Sequence, residues 1–373
     1  MAINFIPNDP LAIDFVPIRK IEPRPDRTAR VARLTIVGDY QEGVFSPGKP
    51  ESLFWQCREA ALLTIEVWEQ LNGSLKKWCA NAVNPRRLTV IPNGGDCLNA
   101  YYDREHLAFF HHTTRDHTTF SGASTDVVAH ELGHAFLDVL RPELFGSPIT
   151  EYAAFHEAFS DCIAILVALF DRDTRSALLN KPADRPPDNP TSSLPGVVAI
   201  QNFVETTAED LSDGVLRAND SNHPASAPRH ALNEFQFQLP TIGPPARLTS
   251  EPHSFARIFT GCFYDLIRNI FNKVQKKDEA ALLNTAQTAG KLLIEAAKRG
   301  DLQARFFQSV GRAMVTADIE LNAARNQQEI EMAFRGHGIR LGGALMPQAT
   351  LAGSAPRRRS RSHPAALEPA TLK

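Results

Sequence analysis

The sequence contains few cysteines and no closely spaced cysteine pair. Five cysteines are scattered along the 373 residues without any Cys-x-x-Cys spacing: Cys57, Cys79, Cys97, Cys162 and Cys262. An odd number at irregular intervals argues against a disulfide framework, and the missing motif argues against a zinc site built from thiolates. We expect all five to be small buried residues with free thiols.

The chain also lacks an excess of charge of either sign and any long apolar run. Lysine and arginine number 40 against 42 aspartates and glutamates, so a nucleic-acid binder is not expected. Apolar runs such as Cys162–Phe170 are shorter than the roughly 20 residues of a membrane span. Acids and prolines stand at 1–10, where a signal peptide would need a basic start and an apolar stretch. We therefore expect a cytoplasmic protein by default, with export by a signal-less route left open.

Patterns of apolar residues divide the rest of the sequence. Residues 1–135 combine short β-branched stretches with a helix at 51–71, and helical periodicity dominates residues 136–341. The helices expected in the second part are about 125–141, 150–171, 253–276, 279–299, 301–324 and 326–336. Residues 342–373 are rich in Ala, Pro, Ser and Arg and predict a disordered basic tail. The expected fold class is α+β, with a mixed β-rich N-terminal domain and a mainly α-helical C-terminal domain.

One predicted helix carries the motif His130-Glu131-Leu132-Gly133-His134. Residues four apart lie on one face of an α-helix, so His130 and His134 can bind the same metal ion. Glu131 is turned away from that pair, in the position that a general base needs. His-Glu-x-x-His is a pattern of zinc hydrolases, which use three protein ligands and leave one coordination position open.

The next predicted helix supplies two acids, Glu157 and Asp161, at a spacing of four residues. The helix is otherwise apolar, and buried carboxylates are costly unless they are paired or bound to a metal ion. Inward-facing acids at these positions therefore predict a bound cation. The alternative is a polar stripe on the surface of the helix.

These motifs together resemble the thermolysin-like neutral zinc metalloendopeptidases, a gluzincin family. Asp126–His134 resembles the zinc-binding helix of the family, and His156–Asp161 resembles its Asn-Glu-Ala-x-Ser-Asp segment. The resemblance implies one zinc ion in the cleft between the two domains. Its three ligands would be His130, His134 and Glu157.

The resemblance also implies roles for residues around the zinc ion. Asp161 would orient a ligating imidazole, expected to be that of His130. Glu131 would act as general base on a zinc-bound water. His253 would stabilise the oxyanion, and Tyr152 is the nearest candidate for the tyrosine that shares this role in the family.

Further matched segments imply how a substrate would bind. Asn99 and Ala100 resemble the edge strand that holds an extended peptide by strand addition. Arg217 would bind a substrate carbonyl. Three residues would line a pocket for the residue after the scissile bond: Phe120, Val127 and Leu216. We expect a monomeric endopeptidase that cuts peptide or protein substrates before bulky hydrophobic residues.

The sequence departs from the family pattern at four places. The oxyanion tyrosine of the family lies further ahead of the third ligand, at a position that falls near Pro148 here. His156 replaces the usual Asn before Glu157. No acid stands at the offset where the family orients its oxyanion histidine, although Glu251 lies two residues before His253. Asp126 matches a calcium ligand of the family, but its carboxylate partners are missing. We therefore expect the structural calcium site to be absent and any dependence on Ca²⁺ to be weak.

Two other functions are consistent with the same motif. A zinc aminopeptidase of the same clan would carry a Gly-x-Met-Glu-Asn-type strand, where this chain has Asn99 and Ala100. A catalytically weakened zinc-containing binding or effector module would account for the altered tyrosine and for His156, although Glu131 is intact. A peptide blocked at both ends distinguishes the three, because only an endopeptidase cleaves it.

Overall fold

Helices make up most of the described chain. The computed structural model describes residues 1–28, 31–114, 117–180, 202–218, 229–239 and 248–342. Nine α-helices lie within these ranges: α1 (Pro50–Asn72), α2 (Thr125–Leu140), α3 (Thr150–Phe170), α4 (Arg172–Asn180), α5 (Glu209–Ala218), α6 (Pro252–Lys273), α7 (Glu279–Arg299), α8 (Phe306–Asn322) and α9 (Gln327–Gly336).

The strands are short. Ten of them lie within the described ranges: β1 (Ile3–Phe5), β2 (Arg19–Ile21), β3 (Arg33–Ile36), β4 (Arg87–Ile91), β5 (Ala100–Tyr102), β6 (His106–Phe109), β7 (His111–Thr114), β8 (His117–Phe120), β9 (Thr206–Thr207) and β10 (Arg229–His230). Helices and sheets are thus both present, which agrees with the expected α+β class. Residues 343–373 of the expected tail lie outside the described residues.

A four-stranded sheet is the largest in the described part of the chain, in the order β3-β4-β6-β5. β4 pairs in parallel with β3 and β6, whereas β5 is antiparallel to β6, with Ala100 opposite Phe109. Val90 and Leu107 of the inner strands are fully buried, as expected for strands that are covered on both faces. β5 lies at an edge, so one side of its backbone is open to another chain.

α1 anchors α2 through aromatic packing. Pro50 begins α1, and Gly73 ends it with a φ of +77°, a left-handed conformation that glycine adopts at low cost. The buried ring of Trp68 in α1 stacks on Phe136 in α2, with ring centroids 4.4 Å apart. Aromatic pairs of this kind contribute about 0.5–1.5 kcal/mol beyond the area that they bury.

α2 and α3 pack closely at a glycine of α2. A Cβ atom on Gly133 would lie 2.6 Å from the Cα atom of Ser160. Since a larger residue does not fit there, Gly133 determines how near the two helices approach each other. α2 begins at Ser124, whose hydroxyl accepts a hydrogen bond from the backbone N–H of Val127 at 3.3 Å.

α3 is apolar around most of its circumference and lies in the core. Its length and composition would allow it to span a membrane, but 83% of its most apolar stretch is buried inside the protein. A helix that is buried in this way has the character of a core helix. Phe155 of α3 contacts Phe259 of α6 and Phe306 of α8, with ring centroids 4.9 and 5.1 Å apart.

The expected helices agree with the structure except for a few terminal residues. The largest difference is at the helix expected at 301–324, because α8 begins only at Phe306. Residues Met1–Leu341 form one compact unit. The expected division between residues 135 and 136 stays a prediction.

The cysteines correct one expectation. All five are free, and four are buried, but Cys97 is exposed. Cys97 lies on the loop between β4 and β5, where its backbone N–H donates to the carbonyl of His111 at 2.8 Å. Connecting loops run over the surface, and this explains why the side chain of Cys97 is not buried.

Candidate functional site

The two histidines of α2 and one glutamate of α3 face each other. One donor atom from each of His130, His134 and Glu157 lies within 4.8 Å of the other two, and the group could hold a metal ion. The Oε2 atom of Glu157 is 3.4 Å from Nε2 of His130, and its Oε1 atom is 3.6 Å from Nε2 of His134. The predicted ligand set is therefore brought together, with both Nε2 atoms on the side of the carboxylate.

Asp161 forms an ion pair with the other nitrogen of His130. Its Oδ1 atom lies 2.9 Å from Nδ1 of His130, and both side chains are buried. Burial and the charge of Arg229 act to lower the pKa of His130, but Asp161 and Glu157 outweigh them and raise it to about 9. A cation at the group must displace that proton, so metal binding here is coupled to proton release.

His156 holds the other nitrogen of His134. The two Nδ1 atoms are 2.7 Å apart, and the rings stack with centroids at 4.9 Å. Burial lowers the pKa of His156 to about 4, so its ring is neutral at pH 7. A neutral His156 can accept a hydrogen bond on Nδ1 from the Nδ1–H group of His134, which leaves Nε2 of His134 free to bind a metal ion.

The pKa values of Glu157 and Glu131 suit a metal ligand and a general base beside it, respectively. Burial acts to raise the pKa of Glu157, but the two histidines hold it well below its usual range, so Glu157 is a carboxylate. Glu131 is buried and lines the same pocket. Burial is the main cause that raises its pKa to about 7. A carboxyl group with a pKa near 7 is suited to general base catalysis at neutral pH.

Arg229 lies beside the group, although no motif in the sequence indicates it. Its Nη1 atom is 3.3 Å from Oε2 of Glu157 and 3.5 Å from Oδ1 of Asp161. Arg229 belongs to β10 and pairs with Thr207 of β9. Buried Glu205 fixes this segment by accepting a hydrogen bond from the backbone N–H of Leu232 at 3.0 Å.

Arg217 was expected near the substrate, but the structure places it elsewhere. It lies on α5, where it pairs with Asp213 and donates to the hydroxyl of Thr119 at 3.4 Å. Its side chain does not line the pocket that contains the His130 group, whereas Arg229 does. A salt bridge within α5 holds Arg217 on its own helix.

His253 is close to the group, as the resemblance implied. It stands at the start of α6, and its Nε2 atom lies 3.2 Å from Oε2 of Glu157. Its Nδ1 atom pairs with Glu251, which also caps α6 by accepting from the backbone N–H of Ser254 at 2.9 Å. The bond to Glu251 raises the pKa of His253. Glu251 thus provides the orienting acid that was missing at the family's usual offset.

Tyr152 is not brought to this site. Its side chain is buried and packs on Phe306 of α8, with ring centroids 4.9 Å apart. Among the described residues, the tyrosines that line the pocket are Tyr101 and Tyr102 of β5. The hydroxyl of Tyr102 donates to Asp138 at 2.9 Å.

A pocket of about 440 Å³ is lined by the three proposed ligands and by four of the residues beside them: Glu131, His156, Arg229 and His253. Asn99 and Ala100, two of the expected substrate contacts, line it beside β5, and Val127 lines it from α2. Phe120 does not line it within the described chain, because its ring stacks on His111, 5.6 Å away, on the β7–β8 hairpin. The side chain of Leu216 lies outside the described residues.

Asp126 lies in a second group of buried acids. Its Oδ2 atom accepts from the backbone N–H of Ala208 at 2.9 Å, and Ser124 donates to its other oxygen. Asp9 and Asp210 are nearby, and burial raises the pKa values of all three acids. The expectation that the family's calcium site is absent stays a prediction.

No protein-family model matches this chain, and no curated protein is significantly similar to it in sequence. Membership of the thermolysin-like family therefore stays a hypothesis, supported by the motifs and by the positions of the residues described above.

Proposed function

We propose that this protein is a zinc-dependent endopeptidase whose active site lies in the cleft between its β-rich N-terminal part and its helical C-terminal part. One observation carries the proposal. The donor atoms of His130, His134 and Glu157 lie within 4.8 Å of one another in a pocket that also holds the buried acid Glu131. This is the arrangement that a metal-dependent hydrolase needs, with three ligands and a base beside them.

The donor set fits zinc. Two imidazoles and one carboxylate are ligands that zinc hydrolases use, and they leave a coordination position for substrate. Asp161 and His156 each hold the nitrogen that does not face Glu157, which supports metal binding through Nε2 of both histidines. A bound zinc ion supplies a Lewis acid that polarises the carbonyl of the scissile peptide.

Glu131 performs the proton transfers. With a pKa of about 7, it is partly ionised at neutral pH, and it accepts a proton from the attacking water. It then passes the proton to the leaving amine. Because burial raises the pKa of Glu131, its carboxylate is a stronger base than that of an exposed glutamate, and its protonated form still donates near pH 7.

Two cations stabilise the charge that develops on the substrate. His253 is 57% exposed and can reach a bound peptide, and Glu251 favours its protonated form. It therefore donates a charge-assisted hydrogen bond to the carbonyl oxygen. Arg229 lines the pocket and takes the carbonyl-binding role that the resemblance gave to Arg217. Tyr152 has no part in this mechanism, because it is packed in the core.

The substrate binds as an added strand. β5 pairs with β6 on one side, and Asn99, Ala100 and Tyr101 line the pocket at its other side. Backbone hydrogen bonds to an edge strand accept many sequences, as an endopeptidase requires. Val127, Ala208 and Leu211 form an apolar surface in the same pocket, suited to a bulky hydrophobic residue after the scissile bond.

Cleavage of a peptide blocked at both ends tests this proposal. Wild-type protein loaded with zinc is expected to cut an internal bond, and Glu131→Gln is expected to lose at least about 1,000-fold in kcat because the general base is removed. Glu66→Gln is the matched control, since Glu66 is 56% exposed on α1 and lies outside the pocket. Zinc binding without cleavage of any peptide in a broad panel would instead support the binding-module alternative.

A further inference from the structure

The candidate pocket has two ends, which we name by one residue of each. At the first end, Ala208 contacts Asp126, the neighbour of Val127, and Arg229 contacts Asp161. At the second end, Phe145 contacts Tyr102 and His156. We assign the lining residues Val127, Ala208, Leu211 and Arg229 to the Arg229 end, and Tyr102, Leu144, Phe145 and His156 to the Phe145 end. Val127 and His134 are seven residues apart on α2, which is about 10 Å along the helix axis. Arg229 contacts Glu157, whereas the Phe145 end contacts the site through His156 and His134.

We infer that Phe145 determines specificity for the substrate residue before the scissile bond and selects large apolar, above all aromatic, side chains there. The inference rests on the proposed endopeptidase function. The proposed function places the residue after the scissile bond against the apolar surface of Val127, Ala208 and Leu211. Val127 belongs to the Arg229 end, so the residue before that bond occupies the Phe145 end.

Phe145 is fixed in place from three sides. Its ring is edge-on to Tyr102 and to His156, with centroids 5.6 Å away in both cases. The guanidinium of Arg104 lies over the ring, with Cζ 4.4 Å from the centroid. A cation at this distance from an aromatic ring is attracted to its face. The ring is therefore a rigid wall before any substrate arrives, which favours selective binding.

Arg104 is itself held tightly and acts as a positioning residue. Its Nε and Nη2 atoms donate to the two carboxylate oxygens of buried Asp138 at 2.9 and 2.6 Å, and Nη2 also donates to the carbonyl of Pro142 at 2.9 Å. Its backbone has a φ of +75°, which is rare outside glycine. The pairing with Asp138 links the turn after β5 to α2, and the bond to Pro142 links it to the loop that carries Phe145.

The charge at the Phe145 end favours an apolar occupant. Tyr102, Leu144 and Phe145 carry no charge at neutral pH. The positive charge of Arg104 is neutralised by Asp138 and faces the ring of Phe145. A charged side chain bound at this end would lose its hydration without gaining a partner, whereas an aromatic side chain would pack edge to face on Phe145.

Matched peptides test the inference. Three peptides blocked at both ends share Leu after the scissile bond and carry Phe, Ala or Asp before it. For wild type, kcat/KM is expected to be at least tenfold higher for the Phe peptide than for the Ala peptide, and lowest for the Asp peptide. Phe145→Ala is expected to reduce the Phe-to-Ala ratio to less than threefold, and Phe145→Tyr to retain it.

Controls separate specificity from loss of structure. In Phe145→Ala the preference for Leu over Asp after the scissile bond, and the zinc content, should stay as in wild type. Phe45→Ala is the matched control, because Phe45 is a partly buried phenylalanine that does not line the pocket. Arg104→Lys should lower the Phe-to-Ala ratio, since lysine cannot make the two parallel bonds to Asp138. Dissociation constants of the same peptides with Glu131→Gln should show the wild-type order without catalysis.

The outcomes distinguish this inference from the proposed function. Cleavage by wild type with equal kcat/KM for the Phe and Ala peptides would overturn the role of Phe145 and leave the endopeptidase proposal in place. An unchanged ratio in Phe145→Ala would do the same. Failure of wild type to cut any of the peptides would overturn both.

Discussion

The carboxylate of Asp161 lies 2.9 Å from Nδ1 of His130, one helical turn beyond Glu157 on α3. Asp161 is 1% exposed, so its charge is stabilised by His130 and Arg229 and very little by water. The same contact directs Nε2 of His130 towards Glu157. Asp161 therefore contacts both the proposed ligand His130 and the neighbouring Arg229, and it helps to fix the position of each.

Asp161→Asn is expected to weaken zinc binding. Loss of the negative charge removes the preference for the proton on Nδ1 of His130. Replacing a residue that orients a metal ligand in this way typically lowers metal affinity by about 10–100-fold. Competition with a chromophoric chelator measures the dissociation constant. Asp173→Asn is the control, because Asp173 is 63% exposed. An affinity equal to that of wild type would show that Asp161 does not orient His130.

Arg229→Ala is expected to lower kcat/KM on a blocked peptide by about 10–100-fold, because the substrate carbonyl loses one hydrogen bond from a charged donor. Arg217→Ala is the matched variant and should change it by less than about threefold, because Arg217 is paired with Asp213 outside the pocket. Steady-state kinetics on both variants, with zinc content measured in parallel, show which of the two arginines binds the substrate carbonyl. A larger loss in Arg217→Ala would return the carbonyl-binding role to that residue.

Gly133→Ala is expected to destabilise the fold by about 1–3 kcal/mol, because the new methyl group overlaps the backbone of Ser160. The higher helix propensity of alanine, worth up to about 1 kcal/mol, offsets only part of this cost. Urea unfolding measures the change. Gly336→Ala serves as control, since a Cβ there meets only a carboxylate oxygen of Asp265 at 3.5 Å. Equal stability of Gly133→Ala and wild type would mean that the helices are not in tight contact.

Asp9→Asn is expected to stabilise the protein at neutral pH. Burial and the charge of Asp126 raise the pKa of Asp9 well above its ordinary value of 3.8. The folded state thus binds the proton more tightly than the unfolded state, and stability falls as pH rises from 3.8 towards the folded pKa. Asn keeps the oxygen that accepts from the backbone N–H groups of Leu11 and Asp210.

Thermal unfolding at pH 7.5 and pH 3.5 measures the effect of Asp9→Asn. The melting temperature should rise at pH 7.5 and change much less at pH 3.5, where Asp9 is protonated in the folded state and mostly protonated in the unfolded state. Asp14→Asn provides the exposed control. A lower melting temperature of Asp9→Asn at pH 7.5 would contradict the raised pKa.

Local spacing was sufficient to predict part of the candidate site. His130 and His134 share a face because they are four residues apart in a helix, and Glu157 and Asp161 do so for the same reason. The close approach of α2 and α3 then brings the two pairs together. His253 was found by resemblance, and the acid that orients it, Glu251, is the residue that caps α6.

Other positions depend on contacts between distant parts of the chain. Arg229 reaches the site through the pairing of β10 with β9, two strands of two residues each, which leave no periodic signal in the sequence. Tyr152 lies on α3, which is buried on nearly all sides, so its apolar pattern does not reveal which face meets α2 and which meets α8. Phe120 was assigned by resemblance, but the β7–β8 hairpin holds it against His111.

Binding of one zinc ion by His130, His134 and Glu157 can be observed in a crystal structure of the zinc-loaded protein, with diffraction data collected above and below the zinc absorption edge. We expect one anomalous peak about 2.0–2.2 Å from Nε2 of both histidines and from a carboxylate oxygen of Glu157. A peak at the exposed pair His112 and Asp96 alone, or no peak at a full equivalent of zinc, would contradict it.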